Sequence, residues 1–572
     1  MTSGQRQSIK PPRSFLFLGL RSKGALFSLC LLLTAWVQAA PLSPSDRNSI
    51  ELQQQDILRQ NQLQREALER SQTVRPSLPS AGVVNQGPCF TLNTIVFEGA
   101  DHLSRYRQRQ LTADFVAKCL NLSQINQLIK NVSDDYIQRG YITSRAFLTE
   151  QDLSQGTLTI VVLEGKLGDI TLEGKSSLSL AMAFPHLKGK ILNLRDIEQG
   201  MEQINRVRST PVQIEILPGR QPGYSIVNLT ATPEFPLQFG VGFDNSGQKS
   251  TGVGQLNASL TANNLLGLAD RWFVSGARSS AFANDHDAQS VQAGVSIPYG
   301  YGLLDYNYAY SNYLTTINNR GYDWRSRGDT QTHRVTGSWT VYRDSDMKTA
   351  LMLGLTRRSS QNYLDDVRLD SSSRVLTSAM LGINQSFRLW RGFATFNPTF
   401  NRGIPWLGGE HDTDKAPHSP QAEFTKWTLS SSYYLPLTDS LTYLTSAYGQ
   451  WTPDRLYGSE RLTIGGESSV RGFKEQYLAG DKGGYWRNEL DWTLFSWPLV
   501  GNVGAVAAID GGYLQPDSRD PYASGTLWGG AVGLFSAGRV VSNQLTVGWP
   551  LSYPGWLTPD RVSVYYRIGL AF

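Results

Sequence analysis

From Pro236 to its end the chain alternates between apolar and polar residues in short runs, and no helical spacing is found there. The run at 485–495 places tryptophan and leucine on one face and Arg487, Glu489 and Asp491 on the other. The final run repeats the pattern, with an apolar face formed by Val562, Val564, Tyr566, Ile568, Leu570 and Phe572. A period of two predicts β-strands. An apolar face opposite a charged face is typical of a membrane barrel with a water-filled lumen.

About sixteen such runs follow one another, starting near residues 237, 253, 270, 288, 303, 331, 347, 373, 393, 421, 440, 485, 502, 526, 540 and 561. The connections alternate between long ones, near 314–330, 402–420 and 452–484, and short ones, near 298–302, 389–392 and 436–440. Outer-membrane barrels have long surface loops and short periplasmic turns. We therefore predict a transmembrane β-barrel of 16 antiparallel strands over residues 236–572. A soluble two-sheet sandwich is the alternative, but it would not tolerate three charged residues on one strand face.

Two smaller modules precede the barrel, and each combines strand-like runs with one helical repeat. The first spans 89–165, and its helical spacing is carried by Ile125, Leu128, Ile129, Val132 and Tyr136. The second spans 166–235, and its helix is marked by Ile197, Met201 and Ile204. These patterns predict two consecutive α+β domains of similar size. Because an even number of strands returns both barrel ends to one side, we expect both domains in the periplasm.

The N-terminal part of the chain predicts export. Residues 1–39 resemble a signal peptide, with a basic start, an apolar core at 24–36 and a small residue, Ala39, before the cleavage point. That core is too short to span a membrane, and no later segment approaches eighteen apolar residues, so no transmembrane helix is expected. Residues 45–71 predict a polar helix, which is either a solvated coil or a helix in a wet cavity. Residues 76–88 predict a linker.

The net charge bears on the kind of partner, and the cysteine content bears on disulfide bonding. A net charge of +5 is small for 572 residues and argues against a nucleic-acid partner. Of three cysteines, Cys30 lies in the signal core, which leaves Cys89 and Cys119 in the exported part. We predict a disulfide between them, and two buried free thiols are the alternative.

The sequence contains no pattern that indicates an enzyme. The six histidines are scattered, and neither an HExxH, a GxSxG nor a GxxxxGK[ST] motif occurs. His411 and Asp412 to Asp414 share one surface loop and are the best candidate metal contact, but a solvated loop is the favoured interpretation. We therefore predict no enzymatic activity, no cofactor and no metal.

The longest predicted surface loop contains the sequence GGESSVRGFKEQYLAG at 465–480. Its centre is the tetrad Val470, Arg471, Gly472 and Phe473. A later strand places Asp510 on its inward face beside small residues, which leaves room for a loop to pack in the lumen. We predict that Arg471 pairs with Asp510 through two charge-assisted hydrogen bonds. A solvated turn is the alternative.

Taken in order, the motifs resemble one known family across essentially the whole mature chain. They are GYITSRAFLTEQDLSQGTLTIVVLEG (140–165), LNLRDIEQGMEQINRV (192–207), LPGRQPGYS (217–225), DNSGQKSTG (244–252), NNLLGLAD (263–270), the VRGF tetrad and the terminal Phe572. The sequence is similar to the two-partner secretion (TpsB) transporters of the ShlB/FhaC/HecB type. The tetrad alone is only moderately specific, whereas the ordered set is strongly specific.

The resemblance implies a function and several roles. The two modules would be periplasmic polypeptide-transport-associated (POTRA) domains, residues 40–75 would hold a plug helix in the pore, and Phe572 would be the barrel's C-terminal signal. The loop with Arg471 would fold into the lumen and dock on Asp510. The protein would be an outer-membrane pore that recognises a large TpsA exoprotein through its N-terminal secretion domain and secretes it.

The partners implied are this exoprotein, outer-membrane lipid and, during biogenesis, the barrel-assembly machinery. A passive porin or uptake channel would not need the two modules and the plug helix. A general outer-membrane assembly factor usually carries more POTRA domains. The cargo class stays open among haemolysins, contact-dependent toxins, adhesins and haem-acquisition proteins.

Overall fold

The computed structural model describes residues 42–70, 88–413, 415–416, 418–498 and 500–572. The signal peptide and almost all of the linker that the sequence predicts lie outside the described residues, as does Asp414. In the described part of the chain, no helix combines the length and the apolar character needed to cross a membrane.

A single long helix, α1 (Pro44–Arg70), begins the described chain. It contains no glycine and no internal proline, and its 27 residues give a length of about 40 Å at 1.5 Å per residue. Few of its residues are apolar, but Ile50 and Leu68 are buried, and so are the polar Gln54 and Asn61. A helix that buries polar side chains needs polar partners, and the barrel wall supplies them.

The first small domain contains five strands and two helices. In chain order they are β1 (Cys89–Leu92), β2 (Thr94–Glu98), α2 (Arg105–Thr112), β3 (Lys118–Asn121), α3 (Leu122–Gln138), β4 (Arg145–Leu148) and β5 (Thr157–Leu163). The main sheet has the order β2-β5-β4, and β1 pairs with β3. A capping box formed by Asn121 and Gln124 starts α3, whose buried residues Leu128, Val132 and Tyr136 pack on the sheet. Helix α2 was not predicted from the sequence, because its residues are mainly polar and show no apolar periodicity.

The second small domain repeats this plan in a shorter form. Its elements are β6 (Lys166–Leu172), α4 (Leu178–Ala183), α5 (Leu194–Asn205), β7 (Gln213–Pro218) and β8 (Tyr224–Thr230). The sheet has the order β6-β8-β7, with β6 parallel to β8. Ile197 and Ile204, which carried the helical spacing, are buried in the core of this domain, with Val227 from the central strand.

Within the described residues, sixteen antiparallel strands close into the barrel that the sequence predicted. The barrel region contains β9 (Leu237–Asp244), β10 (Gln255–Asn263), β11 (Arg271–Ser279), β12 (Asp287–Tyr299), β13 (Gly302–Asn319), β14 (Tyr322–Arg343), β15 (Met347–Leu364), β16 (Val367–Arg368), β17 (Arg374–Leu389), β18 (Gly392–Gly403), β19 (Thr425–Pro436), β20 (Leu441–Trp451), β21 (Leu462–Ile464), β22 (Leu478–Gly480), β23 (Gly483–Trp497), β24 (Gly501–Leu514), β25 (Gly525–Ala537), β26 (Val541–Ser552) and β27 (Ser563–Ala571). Three of these strands lie outside the sixteen. The two-residue β16 pairs antiparallel with the end of β15, and β21 and β22 form a separate hairpin.

The side chains alternate between the outer wall and the lumen as the pattern predicted. Trp486 and Trp492 on β23 are about half exposed on the outer wall, whereas Arg487 on the same strand is 8% exposed and faces the lumen. The last strand, β27, pairs with β9 and closes the barrel. Beside this seam Phe572 and Phe239 exchange two backbone hydrogen bonds of 2.8 and 3.0 Å.

One predicted connection is wrong. Residues 314–330 were expected to form a long surface loop, but β13 and β14 stay paired up to Asn319 and Tyr322. The turn is only Arg320 and Gly321, which both have positive φ angles, of 55° and 83°. Two left-handed residues suit a tight hairpin turn, so the strands extend beyond their neighbours. The long connections at 404–424 and 452–482 do lie outside the barrel strands.

The second small domain contacts the short turns at one end of the barrel. Gln203 Nε2 donates to the carbonyl oxygen of Gly300 at 3.1 Å, and Tyr301 Oη donates to Asp196 at 2.6 Å. Glu202 accepts from Arg343 Nη1 at 2.5 Å and from Lys348 Nζ. Although burial raises the pKa of such a carboxyl group, Lys348 and Arg343 lower the pKa of Glu202 to about 2. The ion pair is therefore lost only as the pH falls towards that value.

Candidate functional site: the barrel lumen

The loop between β20 and β23 folds into the barrel instead of extending from it. The hairpin of β21 and β22 brackets the tetrad at 470–473. Val470 and Phe473 are 0% and 1% exposed, and they belong to an apolar cluster with Ile464, Leu514 and Leu527. Strands β24 and β25 supply Leu514 and Leu527, so this loop is packed against the inner wall.

Arg471 and Asp510 meet at the base of this loop. Arg471 Nε donates to Asp510 Oδ2 and Arg471 Nη2 donates to Asp510 Oδ1, both at 2.7 Å. The backbone N–H of Arg471 donates to Oδ2 as well, at 3.1 Å. The arginine is 4% exposed and the aspartate 0% exposed. The structure thus brings the two residues together in the two-pronged geometry that the sequence suggested.

A second acid and a second arginine extend this pair, and neither role was predicted from the sequence. Glu489 Oε1 lies 3.1 Å from Arg471 Nη1 and 2.5 Å from Arg487 Nη2. Arg487 also donates to the carbonyl oxygen of Glu467 in the loop at 3.0 Å. Their inward positions were visible in the alternation of β23, but cross-strand register was needed to place Arg487 opposite Asp510. The loop is therefore held by a network of charges.

Three wall glycines make this close approach possible. A Cβ on Gly529 would lie 1.8 Å from the carbonyl oxygen of Arg471, and one on Gly512 would lie 3.0 Å from a methyl group of Val470. A Cβ on Gly548 would come within 2.9 Å of the backbone nitrogen of Gly472. Gly472 itself has a φ of 97°, which L residues rarely adopt. The wall is thus shaped to the backbone of the tetrad, not only to its arginine.

Helix α1 lies in the same lumen and contacts both the wall and the loop. Ser45 Oγ donates to Thr330 Oγ1 at 2.7 Å, and Asn61 Oδ1 accepts from Asn397 Nδ2 at 2.8 Å. Gln54 Nε2 donates to the carbonyl oxygen of Thr463 at 2.9 Å. These contacts are polar, and Arg47 adds a charged one: its Nη2 donates to the carbonyl oxygen of Lys474 in the loop at 2.6 Å. Beside the helix, a cavity of about 540 Å³ remains along the wall on both sides of the β27–β9 seam, lined by polar side chains such as Ser275, Ser290 and Gln292 and by the charged Glu51, Asp244 and Arg567.

The remaining candidate residues lie away from the lumen. Cys89 and Cys119 form a disulfide in the first small domain, with Cα atoms 5.3 Å apart across the β1–β3 pair. Asp412 accepts from Lys415 Nζ at 2.6 Å and from two backbone N–H groups, so it serves the loop structure. His411 Nδ1 lies 3.6 Å from Glu423. In the described ranges no group of three or more His, Cys, Asp or Glu side chains is arranged to hold a metal ion.

Comparisons with known proteins agree with this architecture. The profile of the family described as haemolysin secretion/activation protein ShlB/FhaC/HecB matches residues 223–536. Two POTRA profiles match the small domains, one described as ShlB-type over residues 90–165 and one over residues 166–218. These matches follow the same order as the domains in the structure.

Two curated relatives are similar over almost their whole length. The outer membrane transporter CdiB of Escherichia coli is 56% identical over 538 residues, which covers 93% of this chain and 91% of that protein. The outer membrane transporter CdiB of Dickeya dadantii (strain 3937) is 53% identical over 558 residues, which covers 97% of this chain and 100% of that protein. The solved structure of CdiB from Escherichia coli superposes with a TM-score of 0.90 at 56% identity, covering 93% of this chain and all of that chain.

Proposed function

This chain belongs to the ShlB/FhaC/HecB family of haemolysin secretion/activation proteins, and we propose that it secretes one large TpsA-type exoprotein through a lumen gated by helix α1. It is an outer-membrane translocation pore with its POTRA domains in the periplasm. The observation that carries the gating proposal is the contrast between the two occupants of the lumen. The helix is held by scattered hydrogen bonds and one arginine, Arg47, whereas the loop is held by a network of buried charges that pair with one another at 2.5–3.1 Å.

The contrast gives the two occupants different roles. A typical protein hydrogen bond contributes about 1 kcal/mol net, because water replaces it when it breaks. The contacts of Ser45, Gln54 and Asn61 are of this kind. Arg47 adds a stronger contact with the carbonyl oxygen of Lys474, but its nearest carboxylate oxygen, on Glu475, is 4.0 Å away, so α1 leaves the lumen at a lower cost than the loop. Arg471 and Asp510 have no such replacement, because both are almost completely buried. The helix is therefore the removable plug, and the Arg471 loop keeps the wall shape that the passing chain meets.

Recognition takes place on the POTRA domains, whose proposed limits are residues 89–165 and 166–235. In the described residues, β2 and β4 form the edges of the first sheet, and β6 and β7 those of the second. An extended segment of the exoprotein adds to such an edge through backbone hydrogen bonds, which require little side-chain specificity. The secretion domain of the exoprotein is the segment proposed to dock there.

Transport needs no catalytic step by this chain. Once part of the exoprotein has crossed, its folding outside the cell prevents backsliding and supplies the direction of movement. During biogenesis, Phe572 is proposed as the C-terminal signal for the barrel-assembly machinery. It is 69% exposed beside the β27–β9 seam.

A photo-crosslinking experiment tests the proposed path. A photoreactive amino acid replaces either Ser290, which lines the lumen cavity, or its neighbour Val291, which is 43% exposed on the outer wall. A TpsA-type exoprotein that this protein secretes is stalled during secretion by a fused domain that folds too early. We expect adducts from position 290 and none from the matched control at 291. Efficient secretion without an adduct at 290, or adducts only at 291, would exclude the lumen as the path.

A further inference from the structure

A short excursion of the chain lies beyond the end of β18. Its two ends are tied to β17: Ile404 N donates to the carbonyl oxygen of Thr377 at 2.8 Å, and Glu410 N donates to that of Val375 at 3.0 Å. Between these ties, Trp406 is 64% exposed and Leu407 60% exposed. Leu407 has a φ of 54°, so the backbone turns sharply there. Two adjacent large apolar residues are thus held away from the protein's core.

The excursion lies on the outer wall of the barrel. On β17, Thr377 has the same strand parity as Leu381, which is 53% exposed to the outside. Thr377 nevertheless is only 1% exposed, because Gly409 covers it: a Cβ there would be 3.2 Å from Thr377 Oγ1. From the next strand, the outward Arg357 donates its Nε to the carbonyl oxygen of Leu407 at 2.9 Å. Residues 406 and 407 therefore project from the membrane-facing side.

Basic side chains flank these apolar residues on both sides. Arg357 on β15 is paired across strands with Thr377 of β17, and Arg402 on β18 is paired with Ala379 of β17. Because the two arginines flank β17 at positions two residues apart, their Cα atoms lie about 12 Å apart, from two strand spacings across and about 7 Å along the strand. The nearby acids have partners of their own: Glu410 lies 3.6 Å from the ammonium group of Lys415, and Glu423 lies 3.6 Å from the imidazole ring of His411.

The height of this patch matches the outer-leaflet interface. The β18–β19 connection lies at the end opposite the short turns, and one of those turns contacts the second POTRA domain. One step towards the membrane, Phe400 and Trp427 pack with ring centroids 4.6 Å apart, as in an aromatic girdle. Below them the outer wall is a band of exposed leucine and isoleucine.

We propose that Arg357, Arg402, Trp406 and Leu407 form a binding site for a phosphorylated lipid of the outer leaflet. Trp406 and Leu407 insert among acyl chains at the level of the headgroups, where tryptophan is favoured. The two guanidinium groups, whose planar forks match phosphate geometry, then pair with the lipid phosphates beside them. Continuity of the patch with the apolar band favours a lipid over a protein as its occupant.

The test measures lipid binding to the purified full-length protein in detergent by native mass spectrometry. The probes are bisphosphorylated lipid A, the same lipid with both phosphates removed, and inorganic phosphate as a competitor. The test variant is Arg357→Gln/Arg402→Gln. The matched control is Arg391→Gln/Arg539→Gln, which removes the same charge from exposed residues of the opposite rim. A second variant, Trp406→Ser/Leu407→Ser, removes the apolar wedge.

We expect the test variant to bind bisphosphorylated lipid A at least about tenfold more weakly, as for the loss of charge-assisted contacts, and the control to keep wild-type affinity. The wedge variant should lose affinity for both lipid forms, and millimolar inorganic phosphate should not displace the lipid. Unchanged affinity in the test variant, or equal wild-type affinity for the dephosphorylated lipid, would overturn the proposal. So would complete displacement by inorganic phosphate, or a wedge variant that binds lipid normally but no longer secretes, because the patch would then serve a protein.

Discussion

Replacing Arg471 with alanine is the perturbation whose effect the structure defines best. It removes both side-chain hydrogen bonds to Asp510 and the contact with Glu489. Asp510, which is 0% exposed, would keep only backbone donors such as the N–H of Asn488 at 3.4 Å. Breaking one side of a well-buried ion pair costs about 3–5 kcal/mol, and less where water enters. At about 1.4 kcal/mol per tenfold, the docked loop becomes about 10²- to 4 × 10³-fold less favoured.

The barrel itself should survive this change. Asp510 lies in β24, whose backbone is hydrogen-bonded to β23 and β25 along its whole length. We therefore expect Arg471→Ala to reach the outer membrane at nearly normal levels but to secrete poorly. Arg471→Lys should restore secretion only in part, because an ammonium group cannot reproduce the two-pronged contact. Asp510→Ala should show the same defect as Arg471→Ala.

The assay is exoprotein in the medium, normalised to the folded barrel in the membrane. Arg567→Ala is the control, because Arg567 is a lumen arginine whose side chain is 47% exposed and lies 3.3 Å from Glu467. It should secrete almost normally. The double variant of Arg471 and Asp510 should be little worse than either single variant, since both remove one interaction. If the two single defects multiply instead, these residues are not partners and the docked-loop account is refuted.

Three further predictions concern the disulfide, helix α1 and the glycine that faces Arg471. Mass spectrometry should find Cys89 and Cys119 oxidised to one intramolecular disulfide, and serine at both positions should destabilise the isolated first domain by about 3 kcal/mol in thermal unfolding; free thiols would contradict this. Deleting helix α1 should raise conductance in planar bilayers while the barrel stays folded, and unchanged conductance would mean that the helix does not obstruct the pore. Gly529→Ala should reproduce the secretion defect of Arg471→Ala, because its Cβ collides with the Arg471 carbonyl oxygen, whereas Gly337→Ala, with nothing within 4 Å of its Cβ, should be silent.

The barrel was predictable from the sequence because the same physical constraint acts on every one of its strands. A lipid-facing wall opposite a wet lumen imposes alternation, and that pattern is local. The runs that start near 485 and 561 therefore correspond to β23 and β27. The hairpin at 320–321 was missed because a polar stretch outside the membrane no longer alternates in hydrophobicity, although its strands stay paired. Pairing beyond the membrane is decided by turn geometry and not by burial.

The contacts inside the lumen were predictable only where a residue is unusual for its position in the sequence. Arg471 between apolar neighbours in a loop, and Asp510 beside small residues, both stand out in the sequence. Glu489 did not, because an inward acid is ordinary in a wet barrel. Gly529 and Gly548 stayed unnoticed for a different reason: their role is an absence of side chain opposite a loop that is distant in sequence. Such complementarity requires the register between strands, which no single-strand pattern contains.

Tethering α1 to the wall tests whether the exoprotein crosses a lumen that the helix must first vacate. Asn61 Oδ1 and Asn397 Nδ2 lie 2.8 Å apart, and both residues are buried, so cysteines at the two positions, joined by oxidation or by a short reducible crosslinker, can tether helix and wall. The two single-cysteine variants, and the unaltered protein under the same oxidant and reductant, are the controls. The account predicts that secretion stops when the tether is complete on a non-reducing gel and returns on reduction. Normal secretion through a fully tethered barrel would contradict it.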